Sequence, residues 1–310
     1  MKHLLSILDI GSGCEAESII KKAIALKKNP LSKRSALSGK TVGIIMEKPS
    51  TRTTVSFAVA AHQLGALPLI LSADGMQRKR GETIEDTART LSRYLDAVAF
   101  RTFSHGDLET FARYSSMSVI NALTDTEHPC QALGDLMTIA ERKKTFAQVR
   151  KTKIVFVGDG NNVLISWLYL AALTGLNFVH AAPKGYSAPP DVRRKTAAIA
   201  AKTGARISYT DSPLAAAKDA GVIYTDVWTS MGDEAEAVAR KKAFAPYQVN
   251  SRLIKSAARD VVVMHCLPAR RGQEITGEVI DGKHSIVFDQ AENRLHIQKT
   301  VLLEVLATQK

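Results

Sequence analysis

Three cysteines in 310 residues, Cys14, Cys130 and Cys266, are too few and too scattered for a disulfide framework. They are odd in number and form no CxxC or Cys/His spacing, so no structural zinc site is expected either, and the thiols are expected to be reduced. Aromatic residues make up only 6%, and none interleave with basic pairs such as Lys21-Lys22, Lys27-Lys28 and Arg193-Arg194. That pattern argues against a nucleic-acid surface despite a formal charge of +12. A solvated basic surface is the plain reading, and its field also draws small anions. No apolar run approaches the roughly 18 residues of a membrane span. Low-complexity tracts and repeats at solenoid periods are missing as well. In the opening MKHLLSILDI, Asp9 cuts an apolar stretch that falls short of the about 7–15 residues of a signal h-region. The expectation is an ordinary first helix of a cytoplasmic protein.

What is present fits a globular chain long enough for two domains, with 45% hydrophobic and 23% charged residues. Short apolar runs alternate with helical patterns. The first half carries TVGIIM (Thr41 to Met46), LPLILS, DAVAFR and SVINAL, separated by stretches such as TIEDTARTLSRYL. The second half repeats the style with KIVFVGDG, NFVHAAP, RISYTD, GVIYTDVW, DVVVMHCLP and SIVFDQ. Continuous apolar strands between helices predict parallel sheets covered on both faces, hence an α/β chain of two doubly wound domains. The segment EHPCQALGDLMTIAERKKTF lies between the two series and reads as a helix followed by a charged turn. The boundary therefore falls near residues 140–150, giving expected domains at 1–140 and 150–290. The final helix, about residues 291–310, could return to either half and is assigned to the first.

In open parallel sheets ligands bind at the carboxyl ends of strands, and the polar motifs of this chain sit at such ends. EKPSTRTTVSF (Glu47 to Phe57) places Ser50, Thr51, Arg52 and Thr53 where a strand gives way to a helix. Val55, Ala58, Val59 and Leu64 recur near helical spacing in that helix, and Gly65 stops it. Capping by Ser50 explains one hydroxyl. Three hydroxyls with an arginine point instead to a phosphate held on exposed N–H groups. Arg101 ends DAVAFR, where a second cation reaches the same anion, although alone it reads as a surface arginine. His128 and Gln131 open a helix whose first turn holds Pro129; a lone histidine there is a capping or packing residue. VGDGNN (Val157 to Asn162) is followed by Val163 where a dinucleotide loop needs its third glycine, so a nicotinamide reading is weak. The two asparagines suit an amino-acid head group. In DVWTSMG (Asp226 to Gly232), Asp226 suits a substrate ammonium. Cys266, in HCLP (His265 to Pro268), is open between nucleophile, polar contact and inert core thiol.

STRT, HPCQ, DGNN, DVWTSMG, HCLP and AENR, in this order and across nearly the whole chain, resemble the ornithine carbamoyltransferases within the aspartate/ornithine carbamoyltransferase superfamily. SMG with HCLP is what separates the ornithine branch from the aspartate branch. The resemblance implies the two-domain carbamoyltransferase fold with its active site between the domains, and neither metal nor cofactor. It implies that Ser50, Thr51, Arg52 and Thr53, joined by Arg101, bind the phosphate of carbamoyl phosphate. Arg52, Arg101, His128 and Gln131 would surround the carbamoyl group, with Arg294 near its oxygen. Asn162, Asp226, Ser230 and Met231 would hold ornithine, and Cys266 and the Leu267 carbonyl would lie beside its side-chain amine. Catalysis would fall to Arg52, Arg101, His128, Cys266 and Arg294. Gln77, in MQRKRGE, matches a residue that reaches a neighbouring subunit's phosphate site, so the implied assembly is a homotrimer.

The implied chemistry is acyl transfer without a covalent enzyme intermediate, giving L-citrulline and phosphate, in arginine biosynthesis or, reversed, in arginine breakdown. Three positions depart from the family pattern: Thr54 and Ala58 stand where it has Arg and Glu, and Arg270 where it has His. Other readings stay open at this level. They are a carbamoyltransferase for putrescine or N-acetylornithine, a catalytically silent binding protein on the same fold, and a nucleotide-dependent oxidoreductase. The intact polar set disfavours the second, and the defective glycine pattern disfavours the third.

Overall fold

The computed structural model describes residues 1–72, 75–229 and 236–306. The chain divides into two units, Met1–Met137 with Glu292–Lys310, and Thr138–Ala291. The first is built on a parallel sheet of β1 (Thr41–Met46), β2 (Leu67–Ser72), β3 (Ala97–Arg101) and β4 (Ser118–Leu123), in the order β2-β1-β3-β4. Its helices are α1 (Gly13–Lys28), α2 (Thr51–Gln63), α3 (Ile84–Leu91), α4 (His105–Tyr114) and the first part of α5 (Pro129–Lys143). β3 and β4 are almost wholly buried, as strands covered on both faces must be. β2 is one of the two edge strands and carries Pro68, which has no N–H to give a further neighbour.

Two expectations for this unit are corrected. The opening segment is not an α-helix. Leu4 forms a parallel bridge to Ile120, with Leu4 N–H on the Val119 carbonyl and Asn121 N–H on the Leu4 carbonyl. Edge strand β4 has an unpaired side, and these bonds satisfy it. A 3-10 turn follows at Ile7–Ile10, capped by Ser6, before α1 begins. The buried face of α2 is also rotated from the expected one: it consists of Thr53, Phe57, Ala60 and Ala61, with Leu64 beyond, whereas Val55 is 55% exposed. Phe57 is the largest apolar side chain on the helix, and burying it outweighs burying Val55.

The second unit repeats the plan with β5 (Lys153–Val157), β6 (Asn177–Ala181), β7 (Arg206–Thr210), β8 (Val222–Thr225) and β9 (Val262–His265), all parallel, in the order β7-β6-β5-β8-β9. Around it run α6 (Phe146–Lys151), α7 (Asn162–Thr174), α8 (Pro190–Thr203), α9 (Pro213–Ala217), α10 (Ala237–Phe244), α11 (Ser251–Ser256), α12 (Gly277–Ile280) and the start of α13 (Val287–Leu306). α7 is apolar nearly all round and buried to match, with Trp167 stacked on Phe178.

SIVFDQ is not a strand. Only Ser285 bridges to Val263, and the chain turns helical at Val287. Val287 and Gln290 are buried while Phe288 is exposed, so the run has a helical period that a three-residue apolar pattern cannot reveal. The later part of α13 belongs to the first unit. There Lys299 Nζ donates to Gln63 Oε1 at 3.0 Å and to the Pro30 carbonyl, and Ser118 Oγ donates to the Val305 carbonyl at 3.0 Å. Among the described residues no helix is long and apolar enough to cross a membrane.

Each sheet reverses its winding once, between β1 and β3 in the first unit and between β5 and β8 in the second. Crevices at such reversals, at the carboxyl ends of the strands, are where ligands settle in open α/β sheets. The polar motifs follow those strands.

Candidate active site

In the first unit the chain leaves β1 through Glu47, whose N–H bonds the Arg101 carbonyl at the end of β3 at 3.0 Å. Ser50 then caps α2, its Oγ accepting the Thr53 N–H at 3.3 Å and donating to Thr53 Oγ1 at 3.0 Å. Thr53 is fully buried, and Arg294 on α13 donates to its hydroxyl at 2.7 Å. Thr51 is exposed, and Arg52 is half-buried on the first turn. A helix N-terminus with two hydroxyls and guanidinium groups gathered on it is built for an anion.

The electrostatics carry the same message. Burial, then Arg294 and Arg52, pull the Arg101 guanidinium down to about 10. His128, buried just before α5, is held well below its ordinary value by burial and then by Arg294, Arg101 and Arg52. Arginines placed close enough to depress one another carry an electrostatic cost, which an anion held among them would offset. Gln131, in the first turn of α5, donates Nε2 to Asp135 Oδ1 at 2.7 Å, which leaves its buried Oε1 as an acceptor. Burial also pushes the neighbouring Cys130 thiol up to about 12, so it is inert near neutrality. Ser50, Thr53, Arg52, Arg101, His128 and Arg294 are thus brought together. Gln77 stands apart, exposed on a 3-10 turn at Gln77–Arg80 whose Arg78 is paired with Glu47 and Asp107.

In the second unit the loops after β5, β8 and β9 meet. Asn161 caps α7 by accepting the N–H groups of Val163 and Leu164 at 3.1 Å, and its Nδ2 donates to Asp226 Oδ2 at 2.7 Å. Asp226 Oδ1 accepts the Val227 N–H at 2.8 Å and the Cys266 thiol at 3.0 Å. Cys266 is therefore a polar contact: a thiol donating its proton to a carboxylate is not a nucleophile. Gly160 packs so tightly that a Cβ there would lie 2.7 Å from the Ser187 carbonyl. Asp159 accepts from Arg240 at 2.8 Å, and Arg240 also donates to the Trp228 carbonyl, tying the VGDGNN loop to the start of DVWTSMG. Asn162 is the half-buried first residue of α7. Ser230 and Met231 lie outside the described residues.

Leu267 adopts a left-handed φ of +59°, a conformation that costs a non-glycine residue about 1–3 kcal/mol. What holds it is His265, whose Nδ1 accepts the Leu267 N–H at 2.9 Å while Nε2 meets Glu274 Oε1 at 3.1 Å. The ligand atoms of Asp226, His265 and Cys266 all lie within 4.8 Å of one another, spacing that a metal ion can bridge. The donor set fits one poorly. Both ring nitrogens of His265 are committed to hydrogen bonds, and both Asp226 oxygens already accept.

The sequence alone points Asn161 toward an amino-acid head group rather than toward Asp226, and it gives His265, Glu274 and Arg240 no role. The signal for Asn161 was there, since an Asx residue directly before an apolar helix is an N-cap. Glu274 offered none, because its partner at His265 is set by the return of the chain after β9. Of the departures from the family pattern, Thr54 and Ala58 are half-buried on α2, and Arg270 is exposed with its N–H on Glu274.

Residues 2–141 match the family model for the aspartate/ornithine carbamoyltransferase carbamoyl-P binding domain, and residues 150–305 that for the Asp/Orn binding domain. The chain is 51% identical over 308 residues to a curated ornithine carbamoyltransferase of Archaeoglobus fulgidus, covering 99% of this chain and 98% of that one. It is 49% identical over 302 residues to one of Acidothermus cellulolyticus, covering 97% and 96%. Among solved structures, the ornithine carbamoyltransferase from Pyrococcus furiosus superposes with a TM-score of 0.93 at 47% identity, covering 100% of this chain and 98% of that one. With both domain models matched in order and half of its residues shared with such relatives along nearly its whole length, the chain belongs to the aspartate/ornithine carbamoyltransferase family.

Proposed function

We propose that the protein transfers the carbamoyl group of carbamoyl phosphate to the side-chain amine of L-ornithine, releasing phosphate and L-citrulline. The observation that carries the reading is the gathering of Arg52, Arg101 and Arg294 around a histidine held well below its ordinary value by burial and then by these guanidiniums, on the unit whose helix N-terminus suits phosphate. Phosphate lies on the first turn of α2. The neutral amine attacks the carbamoyl carbon, a C–N bond forms, and the C–O bond to phosphate breaks with its electron pair leaving on phosphate. Negative charge that builds on the carbamoyl oxygen is met by Arg52, Arg101 and the neutral His128 as fixed donors. The Gln131 oxygen accepts from the carbamoyl NH₂.

On the second unit Asp226 holds an ornithine ammonium, and the Asn161 cap and the Cys266 thiol fix the direction of its carboxylate. Asn162, Ser230, Met231, Cys266 and the Leu267 carbonyl complete the amino-acid side of this reading. The exposure of Gln77, of Val55 and of β2 residues Leu67 and Ile70 supports a homotrimer in which Gln77 serves a neighbouring site. Three thiols outside any disulfide suit a cytoplasmic enzyme, in arginine synthesis or breakdown.

Colorimetric assay of ureido product with carbamoyl phosphate and a panel of amines tests the reading. Citrulline from ornithine, with putrescine and N-acetylornithine far poorer, is the expected result. Product from another amine in preference to ornithine reassigns the acceptor, and no product from any amine supports a silent binding protein.

A further inference from the structure

Behind the Cys266–Leu267 turn lies an acid–imidazole pair sealed from solvent: the side chains of His265 and Glu274 are both 0% exposed. The Leu267 N–H points at His265 Nδ1, so that nitrogen must present a lone pair and the ring proton must sit on Nε2, facing Glu274 Oε1. Glu274 Oε1 also accepts the Arg270 N–H at 2.5 Å, so one oxygen holds both the histidine and the far side of the turn. The other, Oε2, is buried with no hydrogen-bond partner among the described residues. The backbone N–H of His265 in turn donates to Gln290 Oε1 at 2.9 Å. As a stabilising device this is a poor choice, because a buried carboxylate with an idle oxygen compares badly with an apolar pair of the same volume. What an apolar pair cannot do is choose a tautomer. With the proton on Nδ1 instead, two N–H donors would face each other and Leu267 would lose its left-handed anchor.

We infer that Glu274, acting through His265, is a positioning residue for the acceptor amine: it holds the tautomer that pins the Leu267 N–H, and so aims the Leu267 carbonyl and keeps the Cys266 thiol on Asp226. The inference rests on the amine-site reading above. Gln at 274 keeps an acceptor for both N–H groups, whereas Leu keeps volume and removes the acceptor. At 265, the amide oxygen of Asn replaces Nδ1, whereas Gln places its polar atoms at the position of Nε2.

The test uses the full-length protein with E274Q, E274L, H265N and H265Q, each checked for cooperative unfolding. Imidazole ¹⁵N NMR reports the tautomer without substrate, and steady-state citrulline formation gives separate KM values for ornithine and carbamoyl phosphate. Wild type and E274Q are expected to show the Nε2–H tautomer of His265, with ornithine KM values within about threefold of each other. E274L loses that single tautomer and raises ornithine KM by about tenfold or more, with carbamoyl phosphate KM unchanged. H265N follows E274Q and H265Q follows E274L. A folded E274L with unchanged ornithine KM overturns the inference, as does H265Q behaving like H265N, a comparison that decides the matter if E274L does not fold. Failure of the unmutated protein to make citrulline overturns the carbamoyl-transfer reading instead.

Discussion

Asp226→Asn separates what Asp226 does for the fold from what it does for the amine. The carboxylate accepts three hydrogen bonds, from Asn161 Nδ2, the Val227 N–H and the Cys266 thiol. Asparagine keeps only one accepting end. If that end stays on Val227 and Cys266, its NH₂ meets the NH₂ of Asn161 donor to donor. Asn161 cannot flip to relieve this, because its oxygen caps α7 through the Val163 and Leu164 N–H groups. A buried donor left unmet costs about 1–3 kcal/mol, which at about 2–4 °C per kcal/mol lowers Tm by about 2–12 °C. Independently, if Asp226 meets an ornithine ammonium as proposed, loss of its charge removes about 1.5–3 kcal/mol of binding, or about ten- to a hundredfold in Kd. The second change Asn161→Asp distinguishes the two effects. The carboxylate at 161 still caps α7 and now accepts from the amide at 226, so D226N/N161D recovers Tm without recovering full ornithine affinity. Thermal scans and calorimetric titration with each substrate measure this. The reasoning is refuted if D226N alone melts like the wild type, or if its carbamoyl phosphate affinity falls as far as its ornithine affinity.

Arg52→Ala is expected to cut citrulline synthesis by about 10²–10³, the usual loss for one oxyanion donor, with the fold intact by circular dichroism; more than about a tenth of wild-type activity in a folded variant would sink its assignment. His180 donates Nε2 to the Gly158 carbonyl at 2.9 Å, and burial, its largest cause, pulls it down to about 4. Its folded value lies below the unfolded 6.5, so the unfolded chain binds the proton first and stability falls as pH drops from about 6.5 to about 4, by about 3 kcal/mol in total. His180→Gln keeps a donor but does not titrate, so urea unfolding at pH 7 and pH 4.5 should show a shallower acid loss; an unchanged loss counts against His180.

The two series of alternating strands and helices were legible because parallel strands buried on both faces read as unbroken apolar runs, from TVGIIM to DVVVM. The first strand-to-helix junction was legible too, because Ser50 and Thr53 announce a helix start by their chemistry. What escaped were features decided by distant partners. The N-terminal segment bridges β4 because that strand needs a neighbour, which nothing in MKHLLSILDI records. SIVFDQ looks like a strand until Gln290 is seen to be buried beneath His265. The rotation of α2 toward Phe57 reflects what the sheet beneath it will accept. In the site, motif residues could be named, but their roles depend on bonds such as Asn161 to Asp226, across a sheet reversal that no local pattern encodes.

The protonation states in the first unit bear on where the amine's proton goes. Attack by the ornithine amine leaves a proton on nitrogen that must be lost as citrulline forms. His128 is held far below 6.5 by burial and three guanidiniums, so it is an N–H donor that accepts no proton near neutrality. Cys130 stays a thiol, and Arg101, even at about 10, stays charged. None of these groups is a base at pH 7. The departing phosphate is one: with a second ionisation at about 6 the phosphoryl group is already a dianion at pH 7, and it gains a further negative charge, which a proton neutralises, as the C–O bond breaks. The hypothesis is that phosphate takes the proton while His128 serves the oxyanion alone. His128→Gln, which keeps a donor, should then lower kcat yet leave the shape of its pH profile unchanged. An acidic limb present in the wild type and missing from His128→Gln would assign the histidine to proton transfer and defeat this account.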